Sequence, residues 1–354
     1  MKNKLLVILF FSVITAFSQN STKYSNEFLN IGVDARSIGM ANAVVSSTDD
    51  VNSTYWNPAG LLNLENNLEV GLMHSEYFAG IASYEYGGIG FKIDEKSAAG
   101  ITVLRFGVDD IPDTRQLVDA NGNFDYNKIK TFSSTDNAFL LSYARQIGPD
   151  NLTIGGNVKI VYRNVGDFAN AIGFGLDLSG QYHKDNLKLG VVLRDITGTW
   201  NAWSFNNEEL EEVFIATGNE VPTNSIEVTA PRAILAVGYE YKINEKFGVY
   251  PELDLAVTFD GKRNVLLSTN PISIDPKFGF EANYREIIFL RGGLGNFQKE
   301  TEIGGETKWS MQPNMGVGVK LKKVAIDYAL TNIGDNTSLY SNVFSLRIGI
   351  NKRQ

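Results

Sequence analysis

The feature that most constrains this chain is a two-residue alternation of apolar and polar side chains, repeated in about fourteen segments. In residues 152–163, Leu152, Ile154, Gly156, Val158, Ile160 and Tyr162 share one side. Thr153, Gly155, Asn157, Lys159, Val161 and Arg163 share the other. Side chains alternate faces along a strand, so this period is a strand signal and not a helical one. One face could sit in lipid, while the other carries groups that need water or partners. A closed sheet with an apolar outside and a polar inside is one of two architectures that can span a bilayer.

The strand candidates run over 68–75, 80–92, 97–107, 136–147, 151–164, 170–183, 186–195, 232–243, 246–260, 275–284, 287–296, 312–322, 323–332 and 342–351. Most have the length that a tilted strand needs to cross a bilayer. The first three alternate least cleanly, and Gly87-Gly88 suggests a bulge or kink there. Asp94-Glu95-Lys96, Gly148-Pro149-Asp150, Lys184-Asp185, Asn244-Glu245, Arg285-Glu286 and Lys322-Lys323 read as tight turns. Between them fall longer connections at 108–135, 196–231, 261–274, 297–311 and 333–341. Outer-membrane barrels show this parity, with short periplasmic turns and long external loops, whereas a soluble sandwich has no reason to. The expected fold class is all-β, a 14-stranded antiparallel transmembrane β-barrel, with both termini returned to the periplasm.

The alternation also assigns faces. Phe174, Leu176, Leu178, Tyr182, Leu235, Val237, Tyr239, Tyr241, Val324, Ile326, Tyr328 and Leu330 are expected to point outward. Lys159, Arg163, Asp177, Lys188, Arg194, Glu240, Lys242, Glu252, Asp254, Glu281, Lys320, Asp327 and Arg347 are expected to point inward. Both signs are present, so charges can pair across the lumen. Such a lumen favours a filled barrel over an open pore. The 34 glycines, 15 tyrosines and 21 phenylalanines, against 9 prolines, suit a β-rich chain with an aromatic girdle.

At the N-terminus, Lys2 and Lys4 precede the apolar run Leu5–Phe11, and Ala16-Phe17-Ser18 supplies small residues before Gln19. This is the pattern of a signal peptide, 1–18, cleaved between Ser18 and Gln19. Beyond it no apolar run is long enough for a transmembrane helix. The chain has no cysteine, which removes disulfides, a lipidated cysteine, thiolate ligands and a cysteine nucleophile. Its net charge of −8 speaks against nucleic acid as a partner. The lipid bilayer of an outer membrane is the expected surrounding.

Residues 19–66 fall outside the strand rhythm, yet they carry Ile, Met, Trp and Leu that a disordered tail lacks. They are expected to form a hatch inside the barrel, which then occupies 67–354. Pro58 holds Asn57 in extended geometry, and Asn57 can bond backbone groups that an irregular segment leaves unpaired. Gly32, Gly39 and Gly60 permit close packing or positive φ. Both a rigid plug and a gate fit these residues.

The run from Gly32 to Ala43 (GVDARSIGMANA), followed by Asp49-Asp50 and by Tyr55-Trp56-Asn57-Pro58-Ala59-Gly60-Leu61, resembles the N-terminal signature of the PorV/PorQ family. Those are FadL-like outer-membrane barrels of Bacteroidetes. Asn57-Pro58-Ala59 also matches the NPA motif in the hatch of FadL fatty-acid transporters. The resemblance covers nearly the whole chain. It implies a hatch containing Arg36, Gly39, Trp56, Asn57, Pro58, Ala59 and Gly60. It also implies an accessory role in type IX secretion, with two partners: the outer-membrane translocon and the C-terminal signal domains of exported cargo, met through external loops. The alternative is a FadL-like channel for hydrophobic compounds gated by the hatch, although no continuous apolar stripe runs inward here. A structural adhesin, suggested by the long loops, is a third reading.

Chemistry-bearing motifs are sparse. His74 and His183 lie on separate strand candidates with no motif beside either, and the pairs Asp49-Asp50 and Asp109-Asp110 lack calcium-loop spacing. Gly87-Gly88-Ile89-Gly90 and Gly292-Gly293-Leu294-Gly295 precede no helix pattern, so they are not dinucleotide fingerprints. No enzyme activity, cofactor or metal is expected. The partner signal lies in the longest connection, where Trp200, Trp203 and Phe205 precede Glu208-Glu209-Leu210-Glu211-Glu212-Val213-Phe214. Aromatic anchors on a rigidly mounted loop suit protein contact, and tryptophans just past a strand suit the membrane interface equally. Phe124, in connection 108–135, marks a second candidate surface.

Overall fold

A computed structural model describes residues 24–351, apart from 120, 149–150, 217, 221–222, 302–304 and 333–339. The expected leader, 1–18, lies outside the described residues. The hydrogen-bonded segments form fourteen staves: β1 (Leu68–Tyr77), β2 (Ala82–Asp94), β3 (Ser97–Asp113), β4 (Lys130–Gln146), β5 (Leu152–Val165) and β6 (Ala169–Lys184). Next come β7 (Leu187–Arg194, continued by Thr199–Phe205) and β8 (Ser225–Thr229, Arg232–Tyr239 and Tyr241–Lys242 in line). Then follow β9 (Phe247–Thr258), β10 (Ser273–Tyr284), β11 (Ile288–Thr301), β12 (Thr307–Leu321), β13 (Val324–Thr331) and β14 (Ser341–Ile350). Every neighbouring pair is antiparallel, and β1 pairs with β14 from Leu68↔Ile350 to Glu76↔Asn342, which closes the sheet and leaves no edge.

The period-two pattern appears directly as burial. Along β6, Ile172, Phe174 and Leu178 are exposed on the outer surface, while Ala171, Asp177 and Ser179 are buried inside. On β13, Ile326 points out and Asp327 in. Inward and outward residues alternate between the register shifts at Lys92/Asp94, Val108/Ile111 and Gly295/Gln298, so the buried charges reach the lumen without crossing the apolar band.

Three local readings change. Gly87-Gly88 carries no bulge: β2 keeps its register through both residues and shifts only between Lys92 and Asp94. The inner face at Gly88 is instead filled by the Tyr86 hydroxyl and Val51. The outer ends of the strands extend beyond the predicted bounds, so 108–135 shrinks to a connection at 114–129 and 196–231 to one at 206–224. Long and short connections do not alternate strictly either. Residues 78–81 and 166–168 are tight turns at the same end as the long loops, each using positive-φ residues such as Phe78 and Gly166.

The barrel's own ends, Leu68 and Ile350, do lie side by side. Residue 24 does not join them. Tyr24 packs under Arg263 in the 259–272 connection, at the opposite end, so the N-terminal segment descends the barrel from its outer end.

Candidate functional site

The lumen is filled by residues 24–66, which form only short pieces: 3-10 turns at Glu27–Asn30 and Pro58–Asn63 and helical turns at Ala35–Gly39 and Ser53–Trp56. Short irregular pieces leave backbone groups unpaired, and the barrel wall supplies their partners. Asp254 accepts from the amides of Val44 and Val45, both at 3.1 Å, and Glu252 accepts from the amide and hydroxyl of Ser46 at 2.6 and 2.8 Å. On the far side, the Ser345 hydroxyl donates to Asp34 at 2.8 Å and accepts from the Ala35 amide at 3.1 Å. Thr54 meets Thr102 on β3 at 2.5 Å, and Asn157 on β5 donates to the Thr54 carbonyl at 3.0 Å.

Asn57 is fully buried. Its extended backbone (φ −156°) leads into Pro58, the first residue of the 3-10 turn, whose missing amide costs nothing there. The Asn57 amide donates to the carbonyls of Val45 (2.9 Å) and Gly180 (3.2 Å), and its side-chain oxygen accepts from Ala59 N (3.2 Å). One side chain thus ties two stretches of the segment to β6. The Ala59 amide is shared with Ser179 Oγ, and Trp56 donates from its indole to the Val33 carbonyl at 3.0 Å. A Cβ on Gly60 would strike the Thr48 carbonyl, and one on Gly39 would come within 3.0 Å of the Cα of Gly316, itself a glycine. Gly39 and Gly316 therefore sit backbone to backbone.

Ionic links anchor the segment's inner end. Arg36 reaches Glu281 at 3.0 Å, Glu281 accepts from Arg291 at 2.6 Å, and Arg291 donates to Asp327 at 2.6 Å. Burial alone would lower the Arg36 pKa, but the charges of Glu281 and Asp49 raise it overall, so the guanidinium stays charged. Arg347 pairs with Asp50. A second network joins Lys159 of β5 to Asp177 of β6 (2.9 Å) and to Asp195 in the break of β7.

Above the segment a cavity of about 620 Å³ remains. Tyr55, Trp56, Arg194, Arg232 and Lys277 line it, and Arg263 and Asn264 of the outer connection border it. The Arg194 guanidinium lies 4.8 Å from the Tyr55 ring and 5.7 Å from that of Trp56. Sequence reading placed Arg194 inward but passed over Arg232 and Lys277. The signal was available, since Arg232 and Lys277 occupy inward positions in the period-two register of their strands.

The loop candidates divide. Trp200, Trp203 and Phe205 are not in a loop: they continue β7, paired with β6 and, for Trp200 and Trp203, with β8. Trp200 points out and is exposed. Trp203 points in, donating to Glu227 at 2.9 Å under Arg163, whose guanidinium is 5.0 Å from the ring, and stacks on Phe205. The paired ladder captures these residues because strand pairing continues past the bilayer thickness. Leu210 and Phe214 lie on a helix, Asn207–Ala216, at the outer end. Phe124 is exposed in the 114–129 connection. The structure therefore places all the N-terminal candidates inside the lumen, Arg36 and Gly39 against β10 and β12 and residues 56–60 beside β6, and scatters the outer ones over strand, helix and loop.

A closed fourteen-stranded barrel that carries its own N-terminal segment in its lumen has the architecture of the FadL-like class of outer-membrane proteins. The toluene transporter TodX of Pseudomonas putida is similar in structure, with 14% identity and a TM-score of 0.57, covering 90% of this chain and 98% of that one. The toluene transporter TbuX of Ralstonia pickettii is 14% identical with a TM-score of 0.55, over 90% of this chain and 98% of that one. At such identities the likeness establishes the fold alone. No curated protein matches the sequence. A family model described as type IX secretion system protein PorV matches residues 15–225, and the chain belongs to that PorV family. It is an outer-membrane protein with a role in type IX secretion.

Proposed function

We propose that this protein is an accessory subunit of type IX protein secretion that associates with the outer-membrane translocon and binds the C-terminal signal domain of exported cargo through its outer connections. Residues 1–18 serve as a leader removed near Ser18/Gln19, and 19–66 act as the hatch that closes the barrel. The observation that carries this reading is the PorV family match across residues 15–225. Support comes from the lumen. A segment bonded to β1, β3, β5, β6, β9, β10 and β14 leaves the outer face as the working surface. Leu210 and Phe214 on the outer helix, Phe124 in the 114–129 connection and Trp200 at the rim supply apolar contact groups of the kind that dominate interfaces.

The second reading is a hatch-gated channel for hydrophobic compounds, as the two similar toluene transporters suggest. The cavity chemistry disfavours it, because Arg194, Arg232 and Lys277 line the space that an uncharged hydrocarbon would have to enter. Affinity purification from native membranes, followed by mass spectrometry, tests the proposal. Recovery of translocon components or cargo C-terminal domains is expected. Their absence, together with hatch-dependent uptake of a hydrophobic compound, would favour the channel.

A further inference from the structure

The outer cavity is not a neutral gap. Arg194 and Arg232 are direct cross-strand partners of β7 and β8, both turned inward. Like charges placed opposite one another destabilise a sheet, so the pair works against the fold unless something offsets it. Among the described residues neither guanidinium has a carboxylate at ion-pair distance. Arg194 donates to the carbonyls of Leu29 (3.4 Å) and Tyr55 (3.1 Å). Arg232 donates to the Asn30 side chain, and its Nε is buried with no partner. Lys277 makes no hydrogen bond or ion pair among the described residues.

Two carboxylates border the cavity. Glu27 already accepts from Asn30 at 2.6 Å, and Asp275 leaves Oδ1 unpartnered. With Arg263 paired to Asp260, the cavity holds three further cations, Arg194, Arg232 and Lys277, against two carboxylates. Its volume of about 620 Å³ falls in the range of small-ligand sites.

We propose that this cavity binds a carboxylate carried on a slender apolar body. Arg232 lines the cavity with its Nε unpartnered, a donor that a carboxylate oxygen can take, and Lys277 supplies a second charge. Tyr55, Trp56, Ile38 and Ile234 add apolar surface among neutral polar residues such as Asn42, Gln312 and Asn314, a mixed lining that a carboxylate on an apolar body can use. Two sources share this chemistry: the C-terminal carboxylate of a polypeptide, and a free aromatic acid. The site itself stands on the geometry, whereas the polypeptide source rests on the secretion reading above.

The test is equilibrium binding to the detergent-solubilised full-length protein, read by calorimetry. The probes are the tripeptide Leu-Leu-Phe with a free C-terminus, its C-terminal amide, and 3-phenylpropionate. At least one acid is expected to bind saturably. The peptide amide should bind about 10- to 100-fold more weakly than the peptide acid, the loss corresponding to a charge-assisted hydrogen bond. Arg232→Gln and Lys277→Gln should each weaken the acid by a similar factor. Lys277→Gln removes no native bond, so it carries the test if the arginine variant fails to assemble. Equal binding of acid and amide, no saturable binding of either acid, or wild-type affinity in Lys277→Gln would overturn the site. Binding of 3-phenylpropionate without the peptide acid would keep the site and reject the polypeptide source. Acid binding that persists where no secretion partner is recovered would leave this site standing and count against the secretion reading alone.

Discussion

Replacing Asn57 with alanine removes two donated bonds and one accepted bond from a residue with no solvent exposure. The partners are not all orphaned, since Ala59 N keeps Ser179 Oγ at 3.1 Å and the Val45 carbonyl keeps Gln181 Nε2 at 3.3 Å. With net values of about 0.5–1.5 kcal/mol per bond, the loss is about 2–3 kcal/mol. It falls on the seating of the N-terminal segment and not on the barrel ladder. That shift raises the open fraction of the segment by roughly 30- to 150-fold. The chain has no cysteine, so Val45→Cys, at a position only 1% exposed, provides a single reporter thiol. Maleimide labelling of the Val45→Cys protein in detergent should accelerate by that factor when Asn57→Ala is added, with heat-modifiable migration retained. Asn57→Asp should loosen the segment at least as much, because it turns a carboxylate toward the Val45 and Gly180 carbonyls. A labelling rate within about threefold of the parent would refute the claim that Asn57 latches the segment, since three lost bonds predict far more.

Further outcomes follow from the same geometry. Ile326→Arg, on the lipid face, should sharply reduce assembled barrel, at about 2–4 kcal/mol for a charge near mid-membrane, whereas Gln312→Arg, which faces the outer cavity, should assemble; band-shift on unheated gels reads both. Asn157 is no substitute for that inward control, because it is buried against Thr54 and Asp177. Epitope tags inserted after Gly122 and Gly218 should bind antibody on intact cells, and tags after Asp185 and Glu245 should not. Gly39→Val should leave the barrel closed but speed proteolysis of residues 24–66, because its side chain would press into the Gly316 backbone.

The architecture was legible because the period-two signal is local: Ile326 and Asp327 announce their faces from sequence alone, and the lumen charges follow. What was not legible depended on length and pairing. Trp203 and Phe205 read as loop aromatics because the bilayer sets a minimum strand length and no maximum. The ladder with β6 carries them beyond it, inward beside Arg163. For the same reason, deleting 200–214 would cut into the barrel wall, so only the 207–216 helix can be removed cleanly. The Asn57-Pro58 turn was readable as a backbone-satisfying device, but its partner Gly180 lies over a hundred residues away and no local pattern points to it. The Arg194–Arg232 pair was hidden likewise, since only the β7–β8 register makes them neighbours.

The most direct measurement of the central claim is the secreted proteome of the native host with this gene deleted, restored with the full chain, and restored with a chain lacking residues 207–216. The account predicts that proteins bearing C-terminal secretion domains disappear from the medium on deletion and return with the full chain. With the helix removed, recovery should be partial at most, although the barrel still assembles. An unchanged secreted proteome in the deletion strain would contradict it.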